Sequence, residues 1–207
     1  IQLTIDRLKN KYSSSMKNED SNNFKDNLKI INNQIKQIEK LVNEFSDFAR
    51  MPKPILQKNN LVVLMNESIQ LLAELDKDIK LIFLKNSEKI IFNSDKEQLS
   101  RVFFNLIKNS IESIHQKLEK HSNFTKKITI DLNDFDDHIS LSIVDTGIGF
   151  KNFKTNIKEI LNPYFTTKKN GTGLGLSIVN KILNDHNANI KFISIEEGAK
   201  INIKFIK

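Results

Sequence analysis

The sequence predicts an α+β protein: a helical hairpin followed by helices layered on one face of a mixed sheet. Three observations carry the prediction: a heptad repeat of apolar residues before Met51, prolines at 52 and 54, and alternating apolar and polar strands beyond them. At 207 residues the chain exceeds one minimal domain. The expected division is a hairpin over 1–54 and a second domain over 55–207.

Taken in order, Ile1, Ile5, Leu8 and Tyr12 mark a short amphipathic helix. Ser13 to Ser15 and the polar run 18–23 are expected to break the chain before a longer helix. Its seam is Phe24, Leu28, Ile31, Ile35, Ile38, Val42, Phe45 and Ala49, in alternating steps of four and three. Such a narrow stripe packs against partner helices. A single hairpin cannot bury its whole seam, so two chains are expected to dimerise into a four-helix bundle. Met51-Pro52-Lys53-Pro54 ends the second helix, because proline breaks the hydrogen-bond ladder and disfavours helix in the residue before it. Beyond it, period-two patterns predict strands at 79–83, 89–92, 128–132, 139–144, 190–192 and 201–205. Helices are expected at 61–75, 95–118 and 174–185, the middle one capped by Ser94 or Asp95.

Composition narrows the function. Hydrophobic content of 39% with 28% charged residues suits a soluble fold, and no apolar run is long enough to cross a bilayer. Any membrane attachment would therefore lie in regions outside this chain. The absence of cysteine excludes disulfides, a cysteine nucleophile and a thiolate zinc site, which fits a cytoplasmic location. The net charge of +7 comes from lysines spread along the chain, without a dense basic block or any tryptophan, so no nucleic-acid partner is expected.

Five of the six glycines fall in two clusters, Asp145-Thr-Gly147-Ile-Gly149 and Gly171-Thr172-Gly173-Leu174-Gly175-Leu176. Upstream lies Asn105-Leu-Ile-Lys108-Asn109. Asn105 and Asn109 share a helix face, and their amide oxygens suit Mg²⁺, although paired surface amides would look the same. Asp145 is presented at a strand end beside side-chain-free backbone, where it can accept a hydrogen bond from an exocyclic amine. Asp-Thr-Gly is equally common turn chemistry. The second cluster opens a helix whose first amides suit a polyphosphate. Its spacing fits neither the Gly-x-Gly-x-x-Gly dinucleotide loop nor a Walker loop. Just before it, Lys168 can neutralise phosphate charge, and the aperiodic stretch 150–170 reads as a lid.

These segments, together with Pro163 to Lys168, resemble the N, first glycine, F and second glycine boxes of sensor histidine kinases, in the family's order. The stretch from Phe45 to Pro54 is similar to nitrogen-regulation kinases of the NtrY and NtrB type. The resemblance implies that 1–54 is the dimerisation and histidine-phosphotransfer hairpin and 55–207 a Bergerat-type (GHKL) ATP-binding sandwich. It implies ATP and Mg²⁺ as cofactors, with Asn109 the principal Mg²⁺ ligand, Asn105 supporting it, and Asp145 on adenine. Lys108, Gly147 and Gly149 would be further nucleotide contacts, with Lys168, Gly171, Thr172, Gly173, Leu174 and Gly175 around the phosphates. The implied partners are a second copy of the chain and a response-regulator receiver domain, in the cytoplasmic part of a membrane-anchored sensor.

One family element is missing. The kinase phosphorylates a histidine near the start of the first hairpin helix, and the histidines here are 115, 121, 138 and 186. No catalytic residue is therefore assigned. The opening at Ile1, without an initiator methionine, is expected to lie just downstream of the acceptor, so this segment alone is not expected to autophosphorylate. Another ATPase of the same fold, or a non-catalytic dimerising scaffold with an ATP pocket, are the alternatives. The first would lack the heptad hairpin.

Overall fold

The computed structural model describes residues 2–12, 18–74, 76–121, 123–150, 157–168 and 171–207. Their contacts form two units, Ile1–Met51 with Thr167–Thr172, and Pro52–Thr166 with Gly173–Lys207.

The first unit is built on α1 (Gln2–Tyr12) and α2 (Asn18–Ala49). Ile5 and Leu28 are buried in it, and the Tyr12 ring meets Phe24 edge-on at 6.5 Å. The polar run 18–23 does not break the chain. It is the first turns of α2. Ser13 to Ser15 lie outside the described residues. Further along α2, Ile31, Ile38, Val42 and Phe45 of the heptad stay exposed, as do Ile30 and Leu41.

The second unit holds β1 (Gln57–Asn60), α3 (Leu61–Ala73), β2 (Lys80–Lys85), β3 (Ile91–Ser94), α4 (Lys96–Leu118), β4 (Lys127–Asp134), β5 (His138–Asp145), a 3-10 turn (Ile157–Leu161), α5 (Gly175–Asp185), β6 (Ala188–Ser194) and β7 (Ala199–Ile206). Five strands form one sheet in the order β2-β4-β5-β7-β6, with β2 parallel to β4 and the other pairs antiparallel. Alternation turns Ile128, Ile130 and Leu132, then Ile139, Leu141 and Ile143, then Ile201, Ile203 and Phe205 into a single buried face. Leu99, Val102, Phe103, Leu106, Ile107 and Ile114 of α4 are fully buried. Each such side chain contributes about 1.5–3 kcal/mol of transfer free energy. The opposite sheet face carries Thr129, Asp131, Ser140, Ser142 and Asn202, so the domain has two layers with helices on one side.

Two differences from the sequence expectation have physical causes. Gln57-Lys58-Asn59-Asn60 has no apolar alternation, yet it is a strand because it pairs antiparallel with β3 in a two-stranded ribbon, helped by Asn59 Nδ2 donating to Ser94 O at 2.7 Å. The expected strand at 89–92 lies two residues further on, at Ile91–Ser94, set by that same pairing.

Asp95, not Ser94, caps α4: its Oδ1 accepts from Gln98 N at 3.0 Å. Its Oδ2 accepts from Ile55 N at 2.9 Å, and Gln98 Nε2 donates to Pro52 O at 3.0 Å, so the residues after the proline break are fastened to the start of α4. His186 completes this corner. Its Nδ1 donates to Ile182 O at 2.7 Å, which leaves Nε2 to accept from Asp95 N at 3.0 Å.

Candidate functional site

Asp145 is the last residue of β5 and falls on its buried face, in phase with Ile139, Leu141 and Ile143. Strand periodicity thus aims a carboxylate, 3% exposed, into the layer beneath the helices. Burial pushes its pKa up, opposed by donors from Gly147 N, Ser110, Ala199 N and Ser113. Gly147 N donates to Asp145 Oδ1 at 2.9 Å.

The turn after Asp145 is pressed onto α4. A Cβ on Gly147 would stand 2.2 Å from Ser113 Oγ and 2.6 Å from the Ser113 carbonyl carbon, so no larger residue fits there. Ile148 N donates to Ser113 Oγ at 3.1 Å and fixes the same contact. Gly149 is buried in this turn with φ +67°.

On α4, Asn105, Asn109 and Ser113 follow at steps of four along one face. A Cβ on Gly175, the first residue of α5, would be 4.0 Å from Asn105 Oδ1, so the amide of one helix meets the beginning of the other. Leu174 at the cap of α5 is buried and offers no side-chain cap, which leaves the opening amides of α5 without one. Gly173 has φ +71°, and a Cβ on it would lie 2.4 Å from the Tyr164 carbonyl carbon. Tyr164 itself has φ +68°, a left-handed conformation unusual for an aromatic residue.

The second unit therefore sets Asn105 against the opening of α5 at Gly175, with Gly173 and Leu174 leading into that helix, and sets the turn from Asp145 through Gly147 to Gly149 against Ser113 of α4, with Asn109 one turn beyond Asn105. Lys108 projects from α4 toward Glu112, 4.0 Å away, and its ammonium lies 5.9 Å from the Phe104 ring centroid. Lys168, Gly171 and Thr172 belong to the first unit. There Gly171 N donates to Lys168 O at 3.1 Å, and Thr172 Oγ1 donates to Glu44 of α2.

Sequence reasoning missed Ser110, Ser113 and Tyr164. Ser113 extends the Asn105 and Asn109 spacing by another turn, a signal that was present. Ser110 and Tyr164 gave none, since their surroundings come from β5 and from Gly173.

A mixed sheet covered on one face, with a buried strand-end aspartate, helix-borne amides and a glycine-opened helix, defines the Bergerat-type α/β sandwich. Residues 94–207 match the histidine kinase-, DNA gyrase B-, and HSP90-like ATPase family, and the chain belongs to that family. It is similar to a putative sensor histidine kinase, NtrY-like, of Rickettsia felis, at 34% identity over 99% of this chain and 33% of the relative. The chain thus spans about a third of the length of that relative. Among solved structures it resembles the catalytic domain of histidine kinase ThkA, at 27% identity and a TM-score of 0.61 over 73% of this chain and 95% of that one. It also resembles ThkA in complex with response regulator protein TrrA, at 22% identity and a TM-score of 0.71 over 99% of this chain and 57% of that one. No described helix is long and apolar enough to cross a membrane.

Proposed function

We propose that this chain is the cytoplasmic core of a sensor histidine kinase, with residues 1–54 its dimerisation hairpin and 55–207 its catalytic domain. In the intact protein it transfers the γ-phosphoryl of ATP to a histidine, and from there to a response-regulator receiver domain. The observation that carries the reading is Asp145, buried at the end of β5, with the Gly147 turn after it pressed onto Ser113 of α4, the helix whose Asn105 meets the opening of α5.

Each residue has a task in this reading. Asp145 accepts a hydrogen bond from the exocyclic amine of adenine, and the turn through Gly147 and Gly149 lets the ring approach the backbone. The opening amides of α5 receive phosphate oxygens, favoured by the positive end of the helix. Lys168, whose ammonium can neutralise phosphate charge, and Thr172 are the remaining proposed phosphate contacts. Among the described residues no group of three or more His, Cys, Asp or Glu could hold a metal ion. The amide oxygens of Asn109 and Asn105 are the donors that fit Mg²⁺, which prefers oxygen and keeps phosphate and water in its remaining positions. Bound there, Mg²⁺ supplies charge neutralisation between the phosphates. Catalysis then rests on positioning and electrostatics.

Three of the four histidines of this chain are otherwise engaged. His186 uses both ring nitrogens in the α4 corner, His115 pairs with Asp76, and His138 pairs with Asp137 while stacked on Phe135. The apolar residues left exposed on α2 fit a second copy of the hairpin. The experiment is phosphotransfer in a mixed dimer. This chain is paired with a longer form that begins upstream of the acceptor histidine and carries Asn109→Ala, then given radiolabelled ATP. Label on the longer chain is expected, and none on this chain alone; label on neither chain contradicts the kinase reading.

A further inference from the structure

Lysines dispersed through the sequence are gathered by the sheet register onto one face. With Ile201, Ile203 and Phe205 turned inward, alternation puts Lys200, Asn202 and Lys204 of β7 on the face away from the helices. Lys191 of β6 stands directly opposite Asn202, which makes both β7 lysines its diagonal neighbours, at about 7–8 Å. Nothing across the register offsets these charges: Lys200 is flanked by Val144 and Ile193, and Lys204 by Ser140 and Asn189. Lys204 also lies 3.5 Å from Asp137, but both are well exposed, and such a pair contributes little. Lys80 and Lys127, opposite each other on β2 and β4, extend the same face, where Asp131 is the one carboxylate among the strand residues.

Edge protection accounts for only part of this pattern. Lysine on an open edge strand deters pairing with other chains, which explains Lys191 on β6, but β7 has a strand on each side. Nor is solubility enough, because Ile193 and Ile206 share the face and are 38% and 44% exposed. Cations interleaved with exposed isoleucine fit an anionic lipid surface. Its negative potential attracts lysine, while apolar side chains enter the boundary between headgroups and acyl chains. Duplex nucleic acid would reward the lysines and leave the isoleucines without a partner. A second copy of the face would set lysine against lysine.

We propose that the open face of β6 and β7 is a peripheral docking surface for an anionic lipid leaflet, held by Lys191, Lys200 and Lys204, with Ile193 and Ile206 seated among the headgroups. The helices cover the opposite face of the sheet, so docking here leaves α4 and α5 uncovered. The inference does not depend on the nucleotide reading.

The test is co-sedimentation of the 207-residue chain with vesicles of phosphatidylcholine alone or mixed with phosphatidylglycerol, over a range of salt. Binding to the mixed vesicles is expected, weakening as salt rises, with none to phosphatidylcholine. Lys191→Gln, Lys200→Gln and Lys204→Gln together are expected to cut it about a hundredfold, about fivefold for each lysine. Taking the same charge from the helical side, with Lys53→Gln, Lys96→Gln and Lys120→Gln, is expected to leave most of the binding in place. Ile193→Ser is expected to weaken vesicle binding severalfold without changing affinity for duplex DNA. Should the first triple variant fail to fold, Lys200→Gln with Lys204→Gln carries the same comparison. No binding to the mixed vesicles, equal losses in the two triple variants, or release of the chain from vesicles by duplex DNA overturns the proposal.

Discussion

In the proposed site, Asp145 is the residue where folding and ligand recognition conflict. Strand alternation gives it a core position, and burial raises its pKa despite the Gly147 amide. A group whose folded pKa is raised favours the folded state while protonated, and that contribution is lost as pH rises through the folded value. Asp145→Asn keeps an oxygen for Gly147 N but never ionises. Thermal melts of the nucleotide-free protein are therefore expected to show Asp145→Asn more stable than the parent at pH 7, converging as pH falls toward about 4. A pH-independent difference would contradict this origin. The Asp-Thr-Gly pattern made Asp145 visible in the sequence, because glycine on both sides of Ile148 signals a close backbone approach. Nothing comparable marked Ser110, whose meaning depends on a strand 35 residues away.

Among the elements, α4 couples the core to the site, since its apolar stripe and its Asn105, Asn109, Ser113 face lie on one rigid rod. Its start is held by Asp95, which also grips Ile55 N. Burial acts to raise the Asp95 pKa, but the amides of Gln98, Ile55 and Glu97, with His186 nearby, outweigh it and leave it lowered. Stabilisation from a lowered carboxylate is present above its unfolded pKa and lost as pH falls through the folded value. Asp95→Ala is expected to cost about 0.5–2 kcal/mol in denaturant unfolding at pH 7, shrinking below about pH 4. An equal cost at pH 7 and pH 3 would show that the carboxylate charge is not involved. The apolar periodicity of α4 made it legible from sequence. The strand β1 was not, because four polar residues become a strand only through their partner β3.

At the scale of the whole molecule, the heptad of α2 and the period-two strands made the hairpin and the sandwich legible as separate architectures. The start of α2 was harder, because residues 18–23 are polar in loops and on exposed helix turns alike. Placement of Lys168 and Thr172 was beyond the sequence too: both group with the hairpin, and Thr172 is bonded to Glu44. Chain order had put those residues with the glycines that follow. The proposed function uses both architectures, a phosphate donor site in one and a helical dimerisation surface in the other. The family match to residues 94–207 covers the donor half.

The central claim is that Asn109 and Asp145 belong to a Mg²⁺-dependent ATP site, and calorimetric titration of ATP tests it most directly. The parent chain is expected to bind ATP more tightly with Mg²⁺ than with chelator, Asn109→Ala to lose the Mg²⁺ dependence, and Asp145→Asn to bind at least tenfold more weakly. Titrations of both variants that superimpose on the parent would contradict the account.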